Sequence, residues 1–166
     1  MRVTHIFEPI YNEKSVVLIL GTFPSVKSRE NAFYYGHPQN RFWKVLAAVT
    51  EERPPSTIEE KKAMLLKHHI AIWDVIHTCD IEGSSDSSIR NVTANDIAGL
   101  LQESQIKKIY GNGDKACRLY DKFCKEKTGK EIIRLPSTSP ANAAYSIEKL
   151  VECWSRMREE GIGDGV

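Results

Sequence analysis

The chain has 166 residues, 41% of them apolar and 27% charged, and its 23 basic and 22 acidic side chains leave a formal charge of +1. That length suits one domain with one hydrophobic core, and the composition excludes a disordered or collagen-like chain. No apolar run approaches the roughly 20 residues that cross a bilayer, and no secretory signal opens the sequence, so we expect a cytoplasmic protein. Because the charge is nearly balanced, any contact with nucleic acid has to come from a local patch.

Short apolar runs alternate along the chain with amphipathic segments. An apolar run that ends at turn residues is typical of a strand buried on both faces, and apolar residues three or four positions apart are typical of a helix. In chain order the pattern predicts a strand at 15–21, a helix with Asn40 as its N-cap, a helix at 57–67, a strand at 70–76, a helix at 95–103, a strand at 106–110, a helix at 114–127, a strand at 131–135 and a helix from 147.

This alternation predicts a three-layer α/β/α domain with a central, mostly parallel four-stranded sheet. We expect the domain to span residues 1–160 and a flexible tail to follow at 161–166. Ligands of such sheets bind outside the carboxyl ends of the strands, so a site is expected in the loops that follow them. These loops are all rich in Gly, Pro, Ser and Asn, and they lie at 21–25, 74–88, 111–114 and 136–142.

The segment 31–43 holds five aromatic residues beside a histidine, a glutamine and an arginine. From Phe42 onward it fits the apolar stripe of a helix, but the part at 33–38 neither alternates nor follows a helical period. Planar side chains next to neutral amides suit a pocket that stacks a flat heterocycle and hydrogen-bonds its edge.

The four cysteines are spaced too widely to suggest a metal site. Zinc and iron–sulfur centres usually include a close pair, and here the nearest two are seven residues apart. We therefore expect reduced thiols and no metal. The residues are Cys79, Cys117, Cys124 and Cys153.

Three short motifs, in this order, give the sequence a recognisable pattern. They are Gly-Thr-Phe-Pro-Ser at 21–25, Pro-Gln-Asn-Arg-Phe-Trp at 38–43 and Leu-Pro-Ser-Thr-Ser-Pro-Ala-Asn-Ala at 135–143. Together they resemble the uracil-DNA glycosylase superfamily, and within it the hypoxanthine-DNA glycosylase branch, over essentially the whole chain. The resemblance implies an enzyme that flips a deaminated base, most simply hypoxanthine, out of double-stranded DNA and hydrolyses its N-glycosidic bond. It also implies no cofactor, no obligate protein partner and a monomer.

Two departures from the superfamily pattern bear on mechanism. Many members place Asp or Asn before the Pro of the first motif, to activate water, where this chain has Phe23. The resemblance to the branch transfers that role to Asn40, which we expect to position water by accepting a hydrogen bond from it. Uracil enzymes often carry a His where this chain has Leu135, so help for the leaving base has to come from elsewhere. Asn112 is the second candidate catalytic residue, and the alternative is that it only forms the turn with Gly113.

The resemblance also assigns base-binding and DNA-binding residues. Asp74 is the candidate reader of the base, because a carboxylate accepts the N1–H of hypoxanthine; alternatively it caps the following turn. The base pocket is expected to contain Gly21, Phe23, Tyr35 and Asp74. The serines of the last motif would hydrogen-bond to phosphates; the alternative is that they only mark the start of the next helix. Lys27 would add positive charge near the DNA, or is a solvated loop residue. The expected DNA contacts are Ser25, Lys27, Ser137, Thr138, Ser139, Pro140 and Asn142.

Three other functions stay open from the sequence. One is a uracil or mismatch-uracil glycosylase of the same superfamily. Another is a binding module that holds nucleotides or damaged DNA without cleaving them. The third is an iron–sulfur glycosylase, against which the cysteine spacing argues. No lysine occupies a motif position suited to Schiff-base chemistry, so strand cleavage is not expected.

Overall fold

The computed structural model describes residues 2–5, 7–30, 33–82, 88–160 and 162. Its elements follow one another as strands and helices that mostly alternate. In chain order they are β1 (Arg2–Thr4), β2 (Val17–Gly21), α1 (Val26–Glu30), α2 (Phe42–Thr50), α3 (Ile58–Lys67), β3 (Ile70–Asp74), β4 (Ile76–Asp80), β5 (Arg90–Ala94), α4 (Ile97–Gln102), β6 (Lys108–Asn112), α5 (Asp114–Phe123), α6 (Lys125–Thr128), β7 (Ile132–Leu135), α7 (Ile147–Trp154) and a 3₁₀ helix (Ser155–Glu160).

The central sheet has four parallel strands in the order β3-β2-β6-β7. The register pairs Gly21 with Asp74 and Asn112 with Leu135, so the carboxyl ends of all four strands meet at one edge. Every residue of β2 is buried, as expected for a strand covered on both faces. The predicted sheet and its parallel direction are confirmed.

Helices cover both faces of this sheet, which gives the predicted three layers. Val17 and Ile19 pack into one core cluster with side chains of α2, α3 and α7. Leu18 and Leu20, which point to the opposite face, pack into a second cluster with side chains of α4 and α5. The alternation along β2 therefore builds a separate hydrophobic core on each side of the sheet.

A second, antiparallel sheet corrects the expectation of a loop at 74–88. The predicted strand at 70–76 ends at Asp74, and after Val75 the chain enters β4, which pairs with β1 on one side and β5 on the other. The bend is held where the Val75 amide donates to the Gly21 carbonyl oxygen at 2.9 Å. Residues 83–87 of the predicted loop lie outside the described residues.

In the described ranges no helix is long and apolar enough to cross a membrane. The four cysteines are free thiols, and burial raises the pKa of Cys117 and of Cys124 to about 11. Of the predicted tail, residues 161 and 163–166 lie outside the described residues, whereas Ile162 is buried against the first core cluster.

Candidate active site

A cleft of about 720 Å³ opens at the carboxyl edge of the central sheet. Loops from five places in the chain line it, and they bring together all of the sequence-predicted site residues except Lys27 and Asn142. Its walls include Gly21, Phe23, Ser25, Tyr35, His37, Asn40, Asp74, Asn112, Ser137, Thr138, Ser139 and Pro140. Lys27 lies in α1, and its side chain is outside what the structure describes.

Two carboxamides from distant loops are joined in this cleft through one hydroxyl group. Thr138 Oγ1 donates to Asn40 Oδ1 at 2.9 Å and accepts from Asn112 Nδ2 at 3.0 Å. The Thr138 backbone N–H also donates to Asn112 Oδ1 at 3.0 Å, so Asn112 and Thr138 hold each other at two points. Thr138 is fully buried in the structure and forms an internal link between the two asparagines, and its contact with DNA stays a prediction.

The orientation of the Asn40 carboxamide is fixed by its oxygen. Oδ1 accepts from Thr138 Oγ1 and from the Phe42 backbone N–H, each at 2.9 Å. A flipped amide would set its NH₂ against the Phe42 N–H donor, so this assignment is the one that the hydrogen bonds allow. Both lone pairs of Oδ1 are then used, and the group left for the cleft is the Nδ2 donor, not the acceptor expected from the sequence.

The start of α2 also differs slightly from its prediction. Arg41 occupies the N-cap position, and Asn40 lies one residue earlier. The Asn40 side chain still bonds to the amide of the first helical residue, Phe42. This short side chain-to-backbone bond ties the candidate catalytic residue to a rigid element.

On the base side of the cleft, Asp74 is buried and paired with a histidine. His5 Nδ1 accepts from the Phe7 backbone N–H at 3.2 Å, so the ring carries its proton on Nε2. Nε2 then donates to Asp74 Oδ2 at 2.8 Å. The Asp74 side chain is therefore held by His5 rather than serving as a turn cap, and its second oxygen, Oδ1, stays available.

Gly21 makes room for the groups that flank this carboxylate. A Cβ at Gly21 would lie 2.4 Å from Asp74 Oδ1 and 2.8 Å from the Tyr35 hydroxyl, closer than any real Cβ contact. Residue 21 pairs with Asp74 in the parallel register, so the close approach follows directly from the sheet. Only glycine fits at this strand end.

Tyr35 combines a strained backbone with a buried, unpaired hydroxyl. Its φ of 53° lies in the left-handed region, and its ring stacks on Phe42 with centroids 3.9 Å apart. The hydroxyl has no hydrogen-bond partner within the described part of the chain. Burial, with a smaller contribution from the Asp74 charge, raises the pKa of Tyr35; the nearby Asn112 amide offsets part of this rise without reaching hydrogen-bonding geometry. The tyrosine therefore keeps its proton.

A match to a protein family agrees with this fold and this cleft. The family model of the uracil DNA glycosylase superfamily matches residues 8–158. The chain belongs to that superfamily.

Proteins similar to this glycosylase are also named DNA glycosylases. A hypoxanthine DNA glycosylase from Methanosarcina acetivorans is 37% identical over 142 residues, covering 84% of this chain and 89% of its own length. One of the same name from Methanosarcina barkeri is 32% identical over 112 residues, covering 66% and 71%. A solution NMR structure of a candidate uracil DNA glycosylase from M. acetivorans has a TM-score of 0.82 at 32% identity, covering 97% and 99% of the two chains.

Arg41 is a site residue of this glycosylase that the sequence reasoning missed. Its guanidinium donates to the carbonyl oxygens of Ser139 at 2.8 Å, Asn142 at 3.1 Å and Thr138 at 3.4 Å, and also to that of Tyr145. These bonds join the start of α2 to the loop at 136–142. The motif at 38–43 was the only sequence signal for Arg41, since its partners lie about 100 residues further along the chain.

The serines of that loop are arranged as donors toward the cleft. Ser137 Oγ accepts from the Ser139 N–H at 3.1 Å, and Ser139 Oγ accepts from the Ala141 N–H at 3.1 Å. Each hydroxyl thus uses a lone pair to shape the loop and keeps its own hydrogen for a ligand. Asn142 Nδ2 donates to the Ser137 carbonyl oxygen at 3.0 Å, so Asn142 braces the loop from outside the cleft.

Ser25, another predicted DNA contact, lies immediately before α1. Its Oγ accepts from the Ser28 N–H at 3.0 Å and lies 3.1 Å from Ser28 Oγ. Ser28 Oγ in turn accepts from the Gly36 N–H at 2.9 Å, which fixes the aromatic segment beside the first motif. The ring of Phe23, in the first motif, has the Arg29 guanidinium 5.5 Å from its centre.

Proposed function

We propose that this glycosylase removes hypoxanthine from deoxyinosine in double-stranded DNA and leaves an abasic site. The names of the two Methanosarcina relatives support this substrate. The observation that carries the proposal is the cleft itself, which holds a buried carboxylate acceptor, Asp74, in the same cavity as the Asn40–Thr138–Asn112 link. We further propose that the protein acts as a monomer, in the cytoplasm, without an obligate partner, since one chain supplies every group that the reaction uses.

The reaction breaks the bond between the sugar C1′ and N9 of the base, and the bonding electrons leave with the base. Water then adds to C1′ and loses a proton to solvent, while the departing base anion takes up a proton, so the products are an abasic site and neutral hypoxanthine. Positive charge on the sugar is stabilised by the phosphates of the DNA, so water has to be positioned more than it has to be deprotonated. Asn40 Nδ2 donates to the water oxygen and leaves the second lone pair of that oxygen free to attack C1′.

Asn112 acts on the substrate indirectly, through Thr138 and Asn40, whereas the sequence suggested a catalytic residue. Both its Oδ1 and its Nδ2 bond to Thr138, and Thr138 bonds to Asn40. We therefore propose Asn112 and Thr138 as positioning residues that hold the Asn40 carboxamide. Asn40 is the catalytic residue of the three.

DNA binding is proposed at the rim of the cleft. The hydroxyl hydrogens of Ser137 and Ser139 suit phosphate oxygens, and we expect Pro140, which lines the same cleft, to fill the gap left by an extruded nucleotide. Ser25 also lines the cleft, and we propose that Ser25 and Lys27 add to this contact. The chain's near-neutral charge makes such local contacts necessary.

The test uses duplexes that carry deoxyinosine, deoxyuridine or deoxyxanthosine opposite each normal base, with a metal chelator present. Alkali then reveals abasic sites. We expect cleavage at deoxyinosine, lost in Asn40→Ala with duplex affinity retained, and unchanged in the control Asn12→Ala. Faster cleavage at deoxyuridine would favour the uracil enzyme, whose base also offers an N–H to Asp74. No product from any duplex would leave only the binding module.

A further inference from the structure

The buried hydroxyl of Tyr35 has the features of a ligand-binding group. A hydroxyl removed from water without a hydrogen-bond partner is destabilising, and so is a left-handed φ at a residue with a Cβ. Tyr35 combines both, and neither is relieved by a bond within the described residues. Its ring is fixed by stacking on Phe42, so the hydroxyl stays directed at one place beside the cleft.

An acceptor of fixed orientation lies next to this donor. Asp74 Oδ2 is held by His5, which leaves Oδ1 facing the same space as the Tyr35 hydroxyl. Both atoms lie within 3 Å of the point where a Cβ of Gly21 would be, at 2.4 Å and 2.8 Å, so they are at most about 5 Å apart. The two atoms are not hydrogen-bonded to each other. A ligand edge with an acceptor next to a donor can therefore bond to both, accepting from the Tyr35 hydroxyl and donating to Asp74 Oδ1.

We propose that Tyr35 and Asp74 together read the lactam edge of hypoxanthine, with the Tyr35 hydroxyl donating to O6 and Asp74 Oδ1 accepting from N1–H. This rests on the proposed function and adds the donor half of base recognition. Adenine, from which hypoxanthine arises, presents a lone pair at N1 and an amino group at C6. Its N1 would face the carboxylate acceptor, so the pair rejects the normal base.

The same hydroxyl supplies the help for the leaving base that the sequence left unassigned. As the C1′–N9 bond breaks, negative charge spreads over the base and collects in part on O6. A donor already aimed at that oxygen stabilises the transition state more than the substrate, as in an oxyanion hole. Tyr35 thus takes the part that uracil enzymes give to the histidine replaced here by Leu135.

The decisive variant is Tyr35→Phe, which keeps the ring and its stacking on Phe42 but removes the oxygen. We expect the single-turnover rate on a deoxyinosine duplex to fall about 100-fold, the usual effect of losing one such donor. The melting temperature should be unchanged or higher, because the lost hydroxyl has no partner among the described residues. The matched control is Tyr120→Phe, whose hydroxyl donates to the Lys130 carbonyl oxygen at 2.8 Å: it should lower the melting temperature and leave the rate unchanged.

A second measurement examines the acceptor without altering the protein. Wild-type enzyme is given duplexes with deoxyinosine or with its N1-methyl derivative, which lacks the N1–H. We expect the methylated base to be excised at least tenfold more slowly. Equal rates on the two bases, or a Tyr35→Phe rate within twofold of wild type, would overturn the reading of the lactam edge while leaving deoxyinosine as the substrate. A wild type inactive on deoxyinosine would instead overturn the proposed function.

Discussion

Replacing Thr138 by Val asks whether the link between the two asparagines matters for catalysis. Valine keeps the volume and the branched Cβ of threonine but lacks the hydroxyl. Asn40 Oδ1 then loses the bond from Thr138 and keeps only the Phe42 N–H, while Asn112 Nδ2 loses its acceptor. The backbone bond from residue 138 to Asn112 Oδ1 remains, so the loop itself stays anchored.

The size of the effect follows from these two bonds. A buried hydrogen bond contributes about 0.5–1.5 kcal/mol, and somewhat more when its loss leaves a partner unsatisfied. We therefore expect the free energy of unfolding to fall by about 2 kcal/mol, which for a chain of this length lowers the melting temperature by about 4–8 °C. An Asn40 amide free to move by 1 Å costs about 100-fold in kcat. KM should change little, since Thr138 is fully buried and its hydroxyl is used by Asn40 and Asn112.

Steady-state rates on a deoxyinosine duplex, with thermal melting alongside, measure both quantities. Thr138→Ser restores the hydroxyl and should recover most of kcat. Thr50→Val is the matched control, because Thr50 is equally buried and donates only within α2, to the Leu46 carbonyl oxygen at 2.8 Å. It should lose stability without losing kcat. A Thr138→Val kcat within twofold of wild type, despite a lowered melting temperature, would refute the positioning role.

Two further predictions concern the loop and the acid stability of the fold. Arg41→Lys removes the planar guanidinium that bonds four carbonyl oxygens, so duplex affinity and melting temperature should both fall. The control is Arg158→Lys, because Arg158 bonds the Val49 carbonyl oxygen at 2.7 Å, at the far end of α2. It should lower the melting temperature alone. Affinity equal to wild type in Arg41→Lys would contradict this. The bonds from His68 and Lys67 hold the pKa of Glu52 below its ordinary 4.5, so this stabilisation is fully present above pH 4.5 and is lost as pH falls through the lowered pKa. Urea unfolding should find Glu52→Gln less stable than wild type at pH 6, with the difference shrinking toward pH 3.

The central sheet and the place of the cleft could be predicted because they depend on local patterns. A strand buried on both faces has to be apolar, and residues 16–20 of the predicted strand at 15–21 are all Val, Leu or Ile. Parallel strands bring their following loops to one edge, so Gly21, Asp74 and Asn112 had to meet there. The motif resemblance then assigned chemistry to loops whose position the fold had already determined.

The antiparallel sheet could not be predicted because its strands carry weak patterns. In β5 no residue is fully buried, and β4 pairs with it through shifts in register that break the two-residue alternation. The links of His5 to Asp74 and of Arg41 to the loop at 136–142 were hidden for another reason. They join residues 69 to 101 positions apart, and nothing in the local sequence of either partner signals the other.

The hydrogen bonds inside the cleft determine which atoms are left for the substrate. Asn40 uses its oxygen on the protein and keeps an N–H donor; Ser137 and Ser139 accept from backbone amides and keep their hydroxyl hydrogens. Asp74 has one oxygen bound by His5 and offers the other as an acceptor. A cleft of donors around a single free carboxylate oxygen is complementary to a ligand that is rich in acceptors and has one N–H. Phosphate groups, a sugar under attack by water and a lactam base together form such a ligand, which adenine does not, and this polarity is the physical basis for excising hypoxanthine rather than the adenine from which it arises.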